Sequence, residues 1–182
     1  MRRSAALPAE LESRLATLTT ALAACRSMAD ALSTALDAAI ALLRADLGNI
    51  QLYRAGMLTI AAQRGFTPAF LNHFRRVAAD ADCACGRAMR EGRAIVITDV
   101  ETDPGFAPFR AAAAAAGYRA VQSTPLVTTS GLFIGMLSTH FAAPHTPAAD
   151  DMALLDRYAG LVADTIQKFA VETLIGPSPA EV

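Results

Sequence analysis

Excess charge of either sign, paired cysteines and long apolar runs are all scarce in this 182-residue chain, and each shortage removes a class of function. The 16 Lys and Arg residues nearly cancel the 17 Asp and Glu, leaving a net charge of -1 with no basic cluster. Polyanion binders draw their affinity from cations gathered on one face, so nucleic acid is not an expected partner. Lys168 is the single lysine; the arginine bias and abundant alanine read as genomic composition rather than chemistry. Three cysteines, Cys25, Cys83 and Cys85, form an odd set, and the last two stand too close for an ordinary bridge, which points to a reducing compartment. Behind Arg2 and Arg3 no apolar run follows, because Pro8, Glu10 and Glu12 interrupt it, so no leader is expected and the chain reads as cytoplasmic. The stretch 121–149 carries no charge, yet Gln122, Ser123, Pro125, a turn at 128–131, Pro144 and Pro147 break it into strands and loop rather than a membrane helix.

What is present is enough apolar material, 53% of residues, for one full-sized domain with a helical extension. Leu11, Leu18, Cys25, Leu32 and Ala39 recur every seven residues, interleaved with Leu15, Leu22, Ala29, Leu36 and Leu43. That heptad seam predicts a long helix, or two helices broken near Ser27, presenting a narrow stripe either to a second copy or back onto its own domain. Residues 1–27 are therefore read as a helical extension and possible coiled coil, 28–170 as the domain, and 171–182 as a loose tail. Two hairpins follow: Leu47–Tyr53 with Met57–Gln63 about Gly56, and Arg119–Val127 with Leu132–Phe141 about Gly131. Between them, Thr67-Pro68 and Asp103-Pro104 mark helix starts, Gly92 and Gly117 mark stops, and a short strand spans Ala94–Thr98. Thr146-Pro147 opens a last helix with Leu155, Tyr158, Val162, Ile166 and Phe169 on one face. The order describes an α+β domain: an antiparallel sheet, long helices on one face, short crossover helices on the other, and a pocket beneath the crossover.

Several residues could give that pocket chemistry. Asn49, Gln51 and Tyr53 alternate on the first strand, placing three polar groups on one face, toward either a covered cavity or solvent. His140 shares a strand face with Ser138 and Met136 and either meets a ligand or is a hydrogen-bonded core histidine. Ser123 is the polar residue of its strand assigned to the same pocket, and Phe106 and Phe109 supply an apolar wall. Cys83 and Cys85 precede a helix start, where amide dipoles favour thiolate, although incidental thiols are the plainer reading. The histidines and cysteines have no recognised ligand spacing, so no metal is expected. Asp103 reads as a cap rather than half of an acid–base pair, and neither a nucleophile elbow nor a glycine-rich phosphate loop occurs, so catalysis has no positive support.

The ordered pieces Asp46-Leu-Gly-Asn-Ile-Gln-Leu-Tyr53, Gly86-Arg-Ala-Met-Arg-Glu-Gly92, Ile97-Thr-Asp-Val100, Asp103-Pro104, Gly117-Tyr-Arg-Ala-Val-Gln-Ser-Thr-Pro-Leu126 and Ile134-Gly-Met-Leu-Ser-Thr-His140 resemble a GAF domain, over about Met28 to Phe169. The resemblance is to the type found beside PAS domains and histidine kinases in bacterial signalling. It implies a GAF/PAS-like fold, an unidentified small-molecule ligand, a homodimer through the first and last helices, and a histidine kinase or other signalling partner. Cyclic nucleotides and bilins are disfavoured, since the Asn-Lys and Phe pattern of the former and the Cys-His pair of the latter are missing. Cys85 also matches the cysteine before a glycine in the GAF-type free methionine sulfoxide reductases. Their further cysteine has no counterpart within 106–116, which leaves a thiol redox sensor or reductase-like protein, and a dimerisation module without ligand, as alternatives to a non-enzymatic sensor.

Overall fold

A computed structural model describes residues 8–175. Helix α1 (Ala9–Ala23) ends at a short break, and α2 (Met28–Leu43) starts where Ser27 accepts a hydrogen bond from the Asp30 amide. Strands β1 (Leu47–Arg54) and β2 (Met57–Arg64) form the first hairpin. Both of its turn residues, Ala55 and Gly56, have positive φ, the tight primed turn that matches strand twist.

The crossover then carries α3 (Pro68–His73), a two-residue strand β3 (Val77–Ala78) and α4 (Ala84–Glu91) to β4 (Ile95–Ile97). A 3₁₀ turn (Pro104–Phe109) and α5 (Arg110–Ala116) follow, with Gly117 left-handed at the stop. Strands β5 (Ala120–Val127) and β6 (Phe133–Phe141) make the second hairpin, and α6 (Ala149–Ile175) ends the described chain.

The six strands run in the order β3-β2-β1-β6-β5-β4, every neighbouring pair antiparallel. Strand alternation splits the interior in two. Ile50, Ala120, Leu126, Leu137 and Phe141 face α1, α2 and α6, where Leu36, Leu154, Leu155, Tyr158 and Ala163 are fully buried. Leu58, Val121 and Met136 face the crossover, packed by Phe66, Phe70, Phe74 and Phe106. No described helix is long and apolar enough to cross a membrane.

Of the two destinations open to the heptad seam, the domain itself takes Leu11, Leu15, Leu22, Leu32, Leu36, Ala39 and Leu43, which are buried in the core with α6, while Leu18 and Cys25 are half-buried and Ala29 is exposed. Two expectations change. Residues 171–175 continue α6 instead of starting a loose tail, and the rest of that tail lies outside the described residues. The helix expected between the Asp103-Pro104 start and the Gly117 stop opens as the 3₁₀ turn, which holds Pro108, a residue with no amide hydrogen to donate to a regular α-helix.

Candidate functional site

Beneath the crossover the two layers leave a small cavity of ≈ 20 Å³, room for about one water molecule. Its floor is the sheet: Asn49 and Gln51 from β1, Val121 from β5 and His140 from β6. The register explains the set, since β1 and β6 are adjacent and the odd positions of β1 meet the even positions of β6, as in the pairs Asn49 with Ser138 and Leu47 with His140. The roof is Phe70 and Phe74 at α3, Cys83, Ala84 and Cys85 at the start of α4, and Phe106 in the 3₁₀ turn, with Tyr118 closing one side.

Among the described residues no charged side chain lines the cavity. Asn49 Oδ1, Gln51 Oε1 and His140 Nδ1 are buried without hydrogen-bond partners, each at a cost of roughly 1–3 kcal/mol if left unpaired. Three such atoms on one small space make a polar floor under an aromatic roof. His140 stands edge-on to Phe66, Phe70 and Tyr118, and burial pulls its pKa down to about 3, so the imidazole is neutral.

Cys85 hangs from the first turn of α4 onto the sheet. Its Sγ lies 3.5 Å from Ser123 Oγ and 3.4 Å from Ser138 Oγ, and those hydroxyls, on directly paired residues of β5 and β6, are 2.8 Å apart. A hydrogen bond from the Cys83 side chain, reinforced by both serines, outweighs burial and brings the Cys85 thiol down to about 7. Cys83 moves the opposite way, raised by its bond to Cys85 and by burial. Gly86 allows this placement, because a Cβ there would lie 2.0 Å from the Ala81 carbonyl oxygen.

Arginines tie the roof down. Arg87 on α4 makes a two-pronged ion pair with Asp103, whose Oδ1 also accepts the Phe106 amide hydrogen at 3.0 Å. Arg110 donates to the carbonyls of Val100 and Asp103, and Arg119 pairs with Asp99. Asp99 and Asp103 are therefore ion-pair partners, and Asp103 is also the cap expected ahead of Pro104.

Of the residues singled out in the sequence, Asn49, Gln51, Cys83, Cys85, Phe106 and His140 line the cavity. Ser123 lies just beneath it through Cys85, and Phe109 packs at a tilt against Phe106 and Phe74. Tyr53 does not join them: it sits at the far end of β1, 42% exposed, edge-on to Phe133. Phe70, Phe74 and Tyr118 were missed. They come from crossover segments whose approach to the sheet no local pattern encodes, although three phenylalanines at four-residue spacing, Phe66, Phe70 and Phe74, offered a signal. Among the described residues no cluster of three or more His, Cys, Asp or Glu could hold a metal ion.

Known proteins place this architecture. The GAF domain family matches residues 25–167. No curated protein matches the sequence. The GAF domain of an Acinetobacter phosphoenolpyruvate-protein phosphotransferase superposes with a TM-score of 0.75 at 12% identity, covering 93% of this chain and 100% of that one. A domain of a two-component sensor histidine kinase protein from Sinorhizobium meliloti 1021 gives 0.69 at 21% identity, covering 85% and 100%. Free methionine-R-sulfoxide reductase from Neisseria meningitidis, solved with its substrate, gives 0.71 at 16% identity, covering 94% and 98%. At these identities the likeness is one of fold; the family match, spanning both hairpins, the crossover and most of the last helix, shows that the chain belongs to the GAF domain family.

Proposed function

We propose that this GAF domain is a non-enzymatic sensor whose cavity beneath the crossover takes a small, uncharged polar molecule. The observation that carries the reading is the convergence of Asn49 Oδ1, Gln51 Oε1 and His140 Nδ1, all unpartnered, under the aromatic roof. A ligand donating hydrogen bonds would supply what these atoms lack, and its apolar part would meet Phe70, Phe74 and Phe106. Because the cavity holds about one water, a larger ligand would bind by raising the roof. The affinity difference between closed and raised forms is then what couples binding to shape.

The output we assign to α1 and α6, which pack on the opposite face of the same strands. With the heptad leucines committed inside, a homodimer would use the outer faces of these helices, and a histidine kinase is a fitting recipient of the signal. Native mass spectrometry of protein purified gently from cells tests the sensor. A dimer carrying a small extra mass that departs on denaturation is the expected result. Its absence, together with no thermal shift across a broad metabolite panel, leaves a dimerisation module without ligand as the surviving account.

A second reading rests on Cys85. Its lowered pKa and two serine neighbours suit a thiolate that attacks hydrogen peroxide, taking one oxygen to become a sulfenic acid while the other leaves as hydroxide and is protonated to water. The reductase in the Neisseria structure makes free methionine sulfoxide the sulfoxide to try. Loss of peroxide or sulfoxide turnover in Cys85→Ser, with turnover kept in Cys25→Ser, would favour this reading; no turnover by the unaltered protein removes it.

A further inference from the structure

The sheet ends differently at its two edges. At one, β4 is only three residues long, and short edges are protected from unwanted pairing. At the other, β3 has two residues and covers only Met57 and Leu58 of β2. From Thr59 to Arg64 the outer side of β2 has no neighbouring strand. Those residues make no backbone hydrogen bond to any described segment other than β1. In an antiparallel strand alternate amides and carbonyls point outward, so this edge is a row of donors and acceptors free of main-chain partners among the described residues, with only the Gln63 carbonyl taken by the Arg64 side chain at 3.0 Å. A register irregularity leaves Ala61 without a partner on β1, and Thr59 and Ala61 are exposed.

Grooves flank this edge on both faces of the sheet. One, of ≈ 520 Å³, lies between Ile60–Gln63 and α3, with Leu71 and Arg75 on its wall. The other, of ≈ 730 Å³, lies between the first hairpin, the start of β6 and the end of α6. It holds three exposed large apolar side chains, Tyr53, Leu132 and Val171, together with Arg54. Arg54 and Arg75 form no ion pair among the described residues, while Asp37, the acid nearest the end of β2, is held by Arg64.

We propose that the outer edge of β2 is a docking site for an extended acidic peptide segment of a partner protein. The segment adds to the sheet as a further strand. Its main chain pairs with residues 59–64, its alternate apolar side chains enter the two grooves, and its carboxylates meet Arg54 and Arg75. Charge selects such a partner over a second copy of this chain, because pairing two β2 edges about a two-fold axis would gather the same unpaired arginines from both copies at one interface. The site is separate from the cavity beneath the crossover but shares α3 with it: Leu71 walls the groove while Phe70 roofs the cavity.

Fluorescence anisotropy with a labelled peptide of alternating valine and glutamate tests the proposal directly. Saturable binding is expected. Methylating the backbone nitrogens at every second position should abolish it in one phase, where the methyls face β2, and spare it in the other. The double variant Arg54→Glu, Arg75→Glu, both exposed positions checked for an unchanged melting temperature, should bind about tenfold more weakly or worse. No saturable binding up to millimolar peptide overturns the proposal, as do equal binding of both methylated peptides and equal binding of a peptide with lysine in place of glutamate. A chain whose β2 edge is occupied by a second copy would bind no peptide and falls under the first of these.

Discussion

The two faces of the sheet differ in how they treat buried polar groups. On the helix face Gln122, Thr124 and Thr139 satisfy one another: Thr139 donates to Gln122 Oε1 at 2.9 Å and the Gln122 amide donates to Thr124. Among the described residues, the Tyr158 hydroxyl alone is left without a partner there. On the crossover face three polar atoms point at one cavity unpaired. The packing differs in the same sense: long helices α1, α2 and α6 cover the first face, while short helices and arginine-tethered loops cover the second. Continuous helices satisfy their own backbone and close-pack, so the helix face reads as the frame. The crossover face retains the unpaired polar groups under short elements, and it is the side on which the proposed binding would act.

The largest test of this contrast uses adjacent residues of β6. Leu137 and Met136 are both fully buried, one on each face. Leu137→Ala should cost ~3–4 kcal/mol, because helices locked by their own hydrogen bonds cannot collapse into the space. Met136→Ala should cost ~2 kcal/mol, because the short crossover elements can settle and methionine packs more loosely to begin with. Urea denaturation measures both, and equal losses would mean that the crossover is as rigid as the frame.

Acid should act next, through the crossover face. The unfolded chain protonates its imidazole near 6.5 and the folded chain holds His140 neutral to about 3, so the unfolded state binds more protons between those values. Stability attributable to His140 is therefore complete above the unfolded pKa and falls by ~1.4 kcal/mol per pH unit on descending from 6.5 toward 3. His140→Phe should flatten that limb in chemical denaturation run across pH. An unchanged slope would show that His140 has a partner when folded.

Polar-to-apolar exchange should change sign between the faces. Gln51→Met and Asn49→Leu remove unpaired atoms and should each stabilise the unliganded protein by ~1 kcal/mol. Gln122→Met strands the Thr139 and Thr124 hydroxyls and should destabilise it by ~1–2 kcal/mol. If Gln51→Met is destabilising in protein shown by native mass spectrometry to be free of ligand, the floor of the cavity is satisfied by ordered water instead.

The frame was far easier to read from sequence than the cavity. Leu-rich heptads and two hairpins with Gly56 and Gly131 at their turns are local signals, and the cap-then-proline pairs at Thr67 and Asp103 mark where two roof elements start though not how they lie; each element appears within a few residues of its expected place. Which strand face turns toward the crossover follows from period-two alternation, which is why Asn49, Gln51 and His140 could be nominated together. Two things were hidden. Whether the heptad seam packs inward or onto another chain depends on where α6 lies, far away in sequence, and here α6 covers it. The roof was hidden because α3, α4 and the 3₁₀ turn are each shorter than nine residues, too short for a hydrophobic period to orient them. Their position is set by contacts such as Arg87 with Asp103, made between charges that in sequence look like ordinary surface residues.

That ion pair supplies the smallest and most specific test. Arg87 and Asp103 are largely shielded from solvent, join α4 to the 3₁₀ turn above Phe106, and hold the roof without touching the floor. The Arg87 guanidinium keeps the Asp103 carboxyl below its ordinary range, so its contribution is present above the unfolded carboxylate pKa of 3.8 and lost as pH falls through the lower folded value. Arg87→Gln should cost only ~1 kcal/mol at neutral pH, the scale of a partly screened pair, and should reduce the acid sensitivity that Asp103 contributes below pH 3.8. Hydrogen exchange separates the two layers. Amides of α4 and of 104–116 should lose protection in Arg87→Gln while those of α2 and α6 keep theirs, because the tether belongs to the roof alone. A uniform loss across both faces would show that roof and frame open as one unit, and raising the roof could then no longer be the local step that links ligand to helices.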